Sequence, residues 1–361
     1  MRIGKHLKSC DGKGMQRTKI AIVGASGYTG MELLRLLLLH PHAEITAVTS
    51  RQEAGKALSD VFPRYLGAAG ADLRFIEPDT QAIVASGATV AFLALPHGVA
   101  AQIAHELLSA GLRVIDLSAD FRLRDADVYQ HYYGQSHPYP NLLEKAVYGL
   151  PEIRADKIAS ASLVAAPGCY PTSILLPLIP LLSAKLLDPA SIVAHSMSGV
   201  SGAGRKADIP FLFCECNESV RAYGIPKHRH LSEIEQELSL AAGQEVIISF
   251  LPHLVPVHNG IATTITAKLA ESCDAAAVGD ALTAAYATAP FVRLLGNGVC
   301  ADTKYVTRTN FIDIGWHHDP RTQRIILTSA EDNLGKGAGG QAVQCFNLMC
   351  GLPVRAGLEN F

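Results

Sequence analysis

An α/β fold in two parts is predicted: a doubly wound parallel sheet, then a mixed α/β unit with a largely antiparallel sheet. Three observations carry it. A β-branched run, Lys19–Val23, passes through Gly24-Ala25-Ser26-Gly27-Tyr28-Thr29-Gly30 into a helical stretch from Met31 to His40. Strands at Glu44–Thr49, Thr89–Leu95 and Arg113–Leu117, with a helix at Val99–Ala110, then continue the alternation that winds a parallel sheet on both faces. Farther on, period-two patterning at Glu245–Leu251, Ile261–Leu269, Phe311–Trp316 and Arg324–Ser329 indicates antiparallel strands.

Strand, glycine turn and helix in that order make a Rossmann-type dinucleotide site, in which Gly24, Ser26, Gly27, Tyr28, Thr29 and Gly30 bring backbone amides to a pyrophosphate. The turn departs from G-x-G-x-x-G, since Ser26 stands at the second glycine. Where an NAD site usually ends its next strand in an acidic residue, this chain has Thr49-Ser50-Arg51. Hydroxyls and a guanidinium suit a 2′-phosphate, so NADP(H) is the expected cofactor; a solvated loop arginine is the alternative at Arg51. Pro96 and Arg122 follow later strands, at the ends where ligands of such sheets lie. Pro96 is placed beside the cofactor and Arg122 on an anionic substrate group, unless either is simply structural.

The organising stretch is Ala166-Pro167-Gly168-Cys169-Tyr170-Pro171-Thr172, ahead of an apolar helical run, Ser173–Leu187. A cysteine at a helix N-terminus is expected to have a lowered pKa and to act as a nucleophile. Taken alone it would be a small apolar filler. Beyond a strand at Ser191–His195, the loop Ser198–Lys206 sets Ser201 and Gly202 beside Arg205 and Lys206, an anion pocket or a plain flexible loop. His228 and His230 precede a helix predicted over Glu233–Ala241 from the capping-box spacing of Ser232 and Glu235, and either imidazole suits the thiol as acid/base partner. Residues 125–150, dense in Tyr, Pro and Gly, read as ordered loop. The tail, with Asn333 and Gly337, ends in a helix at Ala342–Met349 placed back on the first unit, its glycines facing the dinucleotide. The expected units are therefore 18–168 with 331–361, and 169–330.

With 361 residues, 48% hydrophobic and 18% charged, and a net charge of −2, the chain offers no field for nucleic acid or an acidic membrane. No apolar run is long and unbroken enough for a membrane span. Eight scattered cysteines in a chain of this size read as reduced thiols in a cytoplasm-like compartment. Cys214 and Cys216 lack the second half of a zinc spacing, and no metal is expected. Residues 1–17, basic but without an apolar core, read as a flexible lead-in, with Met15 as an alternative start.

Taken together, Gly24–Gly30, Asp116–Arg122, Tyr148–Glu152, Pro167–Thr172, Ser198–Lys206, His228–His230, Pro252–Pro256 and Asp332–Gly337 resemble the N-acetyl-gamma-glutamyl-phosphate reductases, relatives of aspartate-semialdehyde dehydrogenase. The resemblance spans 18–353. It implies NADPH-dependent reduction of an acyl phosphate through a cysteine thioester in arginine biosynthesis, by a homodimer or homotetramer. Ala166, Met197 and Asn259 depart from residues common in that family, Asn259 standing where an arginine would bear on anion binding. The same chemistry on aspartyl or carrier-bound aminoadipyl phosphate, and a non-catalytic NADP-binding regulator, are the competing readings.

Overall fold

The computed structural model describes residues 17–271 and 273–359, so the expected lead-in lies, apart from Arg17, outside the described residues. Strands β1 (Thr18–Val23), β2 (Ala43–Thr49), β3 (Phe75–Ile76), β4 (Val90–Leu93), β5 (Arg113–Asp116), β6 (Val147–Tyr148) and β7 (Leu163–Ala165) form one sheet. Its order is β3-β2-β1-β4-β5-β7-β6, every pair parallel. Ile20 to Val23 are fully buried, as a strand covered on both faces requires, which is why β1 reads as an unbroken apolar run. β1 lies between β2 and β4, so the chain reverses direction across the sheet there and opens a crevice at the strands' carboxyl ends.

The second sheet joins β8 (Val193–Ser198), β9 (Arg221–Ala222), β10 (Ser249–Leu254), β11 (Ile261–Lys268), β12 (Val292–Asn297), β13 (Ile312–Asp319) and β14 (Arg324–Glu331) in the order β12-β13-β14-β11-β8-β10-β9. Pairing is antiparallel except for β8 with β10 and β12 with β13. Its inner face, with Ala194, Ile265 and Leu327, shares a core with the helix Cys169–Ser183 and with Ile234 and Leu238 of the helix Arg229–Ala242.

The cysteine helix is buried from Tyr170 to Leu182, so its apolar character all round is that of a core helix. Pro177 and Pro180 sit inside it, each removing the amide that would bond the carbonyl four residues earlier. Side chains supply the missing donors: Ser329 Oγ donates to the Ser173 carbonyl at 2.6 Å, and the Tyr286 hydroxyl to that of Leu176. Two prolines are tolerated because the tertiary structure repairs both gaps.

Several local expectations are corrected. The stretch 125–150 contains a helix, Ala126–Tyr133, capped by Asp125 and stopped by Gly134 in the left-handed region, a short helix Pro140–Leu143, and β6. A helix at Pro151–Ser160 and β7 lead into the cysteine helix, which begins at Cys169 itself and ends at Ser183. The next long helix starts at Arg229, four residues before the expected position, because the His228 ring caps it by accepting the His230 amide at 3.1 Å. After β14 the chain makes a π-type turn, Gly335–Gly339, and a helix, Gly340–Met349, whose Phe346 meets Phe92 of the first sheet at 5.7 Å between ring centres.

Candidate active site

Cys169 is the first residue of its helix, and no side chain caps that end. Gly168 is demanded by proximity rather than by backbone angle, since a Cβ there would fall 2.5 Å from His230 Nε2. Two cavities meet at this point. One, of about 640 Å³, runs from the glycine turn past Ser50, Arg51 and Pro96 to Asn333 and Gly337. The other, of about 600 Å³, is walled by Tyr133, Ser198, Lys206, Arg221 and Tyr223. Cys169, Gly202, Arg229 and His230 line both.

The thiol is not the pre-ionised nucleophile expected from its place on the helix. Burial of the site, and then the nearby Glu331 carboxyl, push it up to about 12 against the opposing Tyr170 amide and Arg122. Burial likewise depresses His230 far below the usual imidazole range, with His228, Arg122 and Arg229 adding to it, and lowers His228 to about 4 with help from Arg229. Cysteine and both imidazoles are thus neutral at neutral pH. His228 has its Nδ1 occupied as a cap, and its ring meets Tyr170, Tyr223 and Phe250 edge-on. His230 keeps a buried Nδ1 without a partner, and its Nε2 stands 4.0 Å from Glu233 Oε1.

Arg122 lines the cavity that Cys169 also lines and is held there by internal partners. Only 8% exposed, it donates to the Ala166 carbonyl at 2.9 Å, to Glu233 Oε1 at 3.0 Å and to the Leu117 carbonyl at 3.0 Å. Glu233 in turn accepts the Tyr148 hydroxyl at 2.8 Å and the Gly168 amide at 3.2 Å. The pair fixes the backbone beside Cys169.

The wider crevice fits a dinucleotide. Gly24 has φ +84°, and a Cβ on it would strike the Ala94 carbonyl at 2.4 Å; a Cβ on Gly30 would strike the Ala25 backbone at 2.6 Å. The helix Tyr28–Leu37 that follows has neither a side-chain cap nor an acidic residue in its first turn, so its leading amides are left for an anion. Ser26 Oγ and Ser50 Oγ lie 2.9 Å apart on the same wall as Arg51. Arg205, expected at the substrate, reaches across to the Ser26 carbonyl at 2.7 Å and lines the crevice that Cys169 also lines. Ser201 also moves inward: its hydroxyl donates to Asn259 and accepts from Asn333, while Asn259 donates to Asp332. The departure at Asn259 is thereby absorbed into an internal network. Asn333 holds the Gly260 amide at 2.8 Å, and Gly337 leaves room for Cys169, whose Cβ would lie 2.9 Å from a Cβ placed there.

Over 344 residues the chain is 63% identical to the N-acetyl-gamma-glutamyl-phosphate reductase of Akkermansia muciniphila, covering 95% of this chain and 99% of that protein. It is 52% identical to the reductase of the same name from Geobacter sp. strain M21, covering 94% and 98%. The chain belongs to the N-acetyl-gamma-glutamyl-phosphate reductase family. Residues 19–161 match the family described as semialdehyde dehydrogenase, NAD binding domain, and 169–333 the one described as semialdehyde dehydrogenase, dimerisation domain. Among solved structures, aspartate semialdehyde dehydrogenase II of Vibrio cholerae, complexed with ASA, has a TM-score of 0.70 at 18% identity, covering 93% of this chain and 99% of that one. The Candida albicans aspartate semialdehyde dehydrogenase with NADP also scores 0.70, at 15% identity, with coverage of 92% and 98%. These two likenesses show the fold.

Within this reductase family member, sequence reasoning missed Glu233, Tyr133, Arg221, Arg229 and Tyr223 as parts of the site. Arg229 had a signal, lying between the two histidines. Glu233 had none, because its partner Arg122 is 111 residues away.

Proposed function

We propose that this enzyme reduces N-acetyl-L-glutamyl 5-phosphate with NADPH to N-acetyl-L-glutamate 5-semialdehyde and phosphate, a step of arginine biosynthesis, through a thioester on Cys169. The observation that carries the reading is the placement of Cys169 and His230 where the glycine-turn crevice and the cation-lined cavity meet. The acyl phosphate occupies the second cavity, its anionic groups met by Arg229, Lys206 and Arg221. Gly202 marks where both cavities touch its backbone.

Because thiol and imidazole are both neutral at rest, the thiol proton passes to His230 as sulfur attacks rather than beforehand. The carbon–sulfur bond forms, the carbon–oxygen bond to phosphate breaks, and phosphate leaves with the electron pair. Uncapped amides at the start of the cysteine helix stabilise the charge that develops on the carbonyl oxygen. When bound, NADPH supplies the hydride that takes the thioester to the aldehyde level. His230 then returns a proton, and the thiol is restored. His228 acts by position, capping the helix that holds His230.

Gly24, Gly27 and the leading turn Tyr28-Thr29-Gly30 hold the pyrophosphate, Ser50 and Arg51 the 2′-phosphate, with Arg205 closing over Ser26. The units divide as 18–168 with 331–361, and 169–330. Alternate residues on the outer face of the second sheet, Met197 and Thr264 among them, are exposed and support association of copies into a dimer or tetramer. A cytoplasmic setting agrees with the biosynthetic relatives; among the described residues no helix is long and apolar enough to cross a membrane.

Phosphate-dependent NADP reduction is to be assayed with N-acetyl-glutamate semialdehyde beside aspartate semialdehyde. Cys169→Ser should abolish turnover and leave NADPH binding intact. Turnover near wild type in that variant, or preference for aspartate semialdehyde, defeats the proposal.

A further inference from the structure

The reaction above leaves one buried acid beside the nucleophile unused. Glu331, the last residue of β14, has no exposed surface, and among the described residues neither oxygen of its carboxyl has a hydrogen-bond partner. It and Cys169 crowd the same point beside Gly337: where a Cβ on Gly337 would sit is 2.9 Å from Cys169 Cβ and 3.0 Å from Glu331 Oε1. An unpaired carboxylate in such a place is costly, and the group avoids that cost by keeping its proton.

After burial, the strongest influence on Glu331 is Lys336 of the π-type turn, which favours the carboxylate; its ammonium is shared with Glu152 at 2.7 Å and Gln344 at 2.9 Å, with no exposure to solvent. Glu152, from the helix Pro151–Ser160, and Asp332, the next residue along the chain, both oppose ionisation of Glu331. Asp332 has its oxygens taken by the amides of Arg308, Leu334 and Gly335 and by Asn259. β11 and β13 present Ile261 and Ile312 across from it in register. On the side of Cys169 the charged or titratable neighbours are Arg122, Glu233 and His230.

We propose that Glu331 is a positioning acid for Cys169, uncharged while the thiol reacts, whose ionisation would hold the thiol in its protonated, unreactive form. The reasoning is competition for one negative charge. Cys169 and Glu331 share a region poor in solvent and in free cations, so a carboxylate there raises the cost of a thiolate, and the neutral acid removes that cost. Burial drives the Glu331 carboxyl well above its ordinary range, which is the direction this competition needs. This rests on Cys169 being the nucleophile but not on which acyl phosphate it attacks.

The test reads the thiol without substrate. Folded wild type, Glu331→Gln and Glu331→Leu are treated with iodoacetamide from neutral pH up to the alkaline limit of the folded state, and alkylation of the Cys169 peptide is followed by mass spectrometry. In both variants the ratio of the alkaline rate to the neutral rate should exceed that of wild type by about tenfold, equivalent to one unit in the thiol pKa. The apolar Glu331→Leu serves where Gln unsettles the fold. Rate–pH curves that superimpose on wild type in either folded variant overturn the proposal, even if turnover falls, because a purely structural role lowers rates without moving their pH dependence. Failure of the acyl-phosphate assay leaves this measurement unaffected, so the two readings are judged separately.

Discussion

Two glutamates buried beside the same cysteine, Glu233 at 1% exposure and Glu331 at 0%, live in opposite company. Glu233 accepts from Arg122, Tyr148 and the Gly168 amide, whereas Glu331 accepts from nothing among the described residues. Burial raises both, but at Glu233 the guanidinium, the tyrosine hydroxyl and the backbone amide oppose the rise. Equal burial thus leaves the chemical state of a carboxyl open, and the partners decide it. One of these acids holds backbone in place; the other is free to respond to proton concentration.

The contrast breaks most visibly under truncation. Glu233→Ala strands Arg122 as a buried cation without its counterion and should cost about 3–5 kcal/mol in urea unfolding, whereas Glu331→Leu should be neutral or stabilising. Equal losses in the two variants would mean that Glu331 has a partner in solution. A smaller effect concerns the group next to Glu233. His230→Asn should lower kcat roughly 10²–10⁴-fold with the fold intact, while His228→Asn, which keeps a side-chain oxygen able to cap the helix, should lose much less. Reversal of that order would transfer the acid/base role to His228. The smallest effect lies far from both glutamates: Arg51→Ala should raise KM for NADPH about tenfold, the worth of one charge-assisted hydrogen bond, and leave NADH unchanged. Equal changes for both nucleotides would remove Arg51 from the 2′-phosphate.

What the sequence made legible was whatever short-range backbone demands impose. The glycine turn is readable because Gly24 needs a positive φ and Gly30 a close approach, and both constraints act within a few residues. Cys169 stood out because Pro-Gly ahead of it and proline after it frame a helix start. Where partners come from far along the chain, the sequence could not name them. For Arg122 the sequence left an anionic substrate group and a structural pairing both open, and it could not name Glu233, the partner 111 residues on. Ser201 looked like part of an anion pocket, but its hydroxyl is taken by Asn259 and Asn333. The lowered thiol pKa was inferred from the helix alone, and burial together with Glu331 outweighs the helix. The helix Ala126–Tyr133 was legible and was missed: Asp125 and Gly134 are ordinary start and stop signals, hidden among tyrosines and prolines. The start at Arg229 was harder, because the cap is an imidazole, outside the residues usual at that position.

The path from β14 through Gly335–Gly339 to the helix Gly340–Met349 has a consequence for how this protein divides. That last helix lays Phe346 against Phe92 and Val343 in the same core as Leu33, so the parallel sheet is finished by the final stretch of chain. A fragment ending near residue 168 would expose that apolar floor and aggregate, and adding the missing helix as a separate peptide would be the way to rescue it. Ribosomal synthesis faces the same order: the nucleotide half, made first, waits for the other half before it can close.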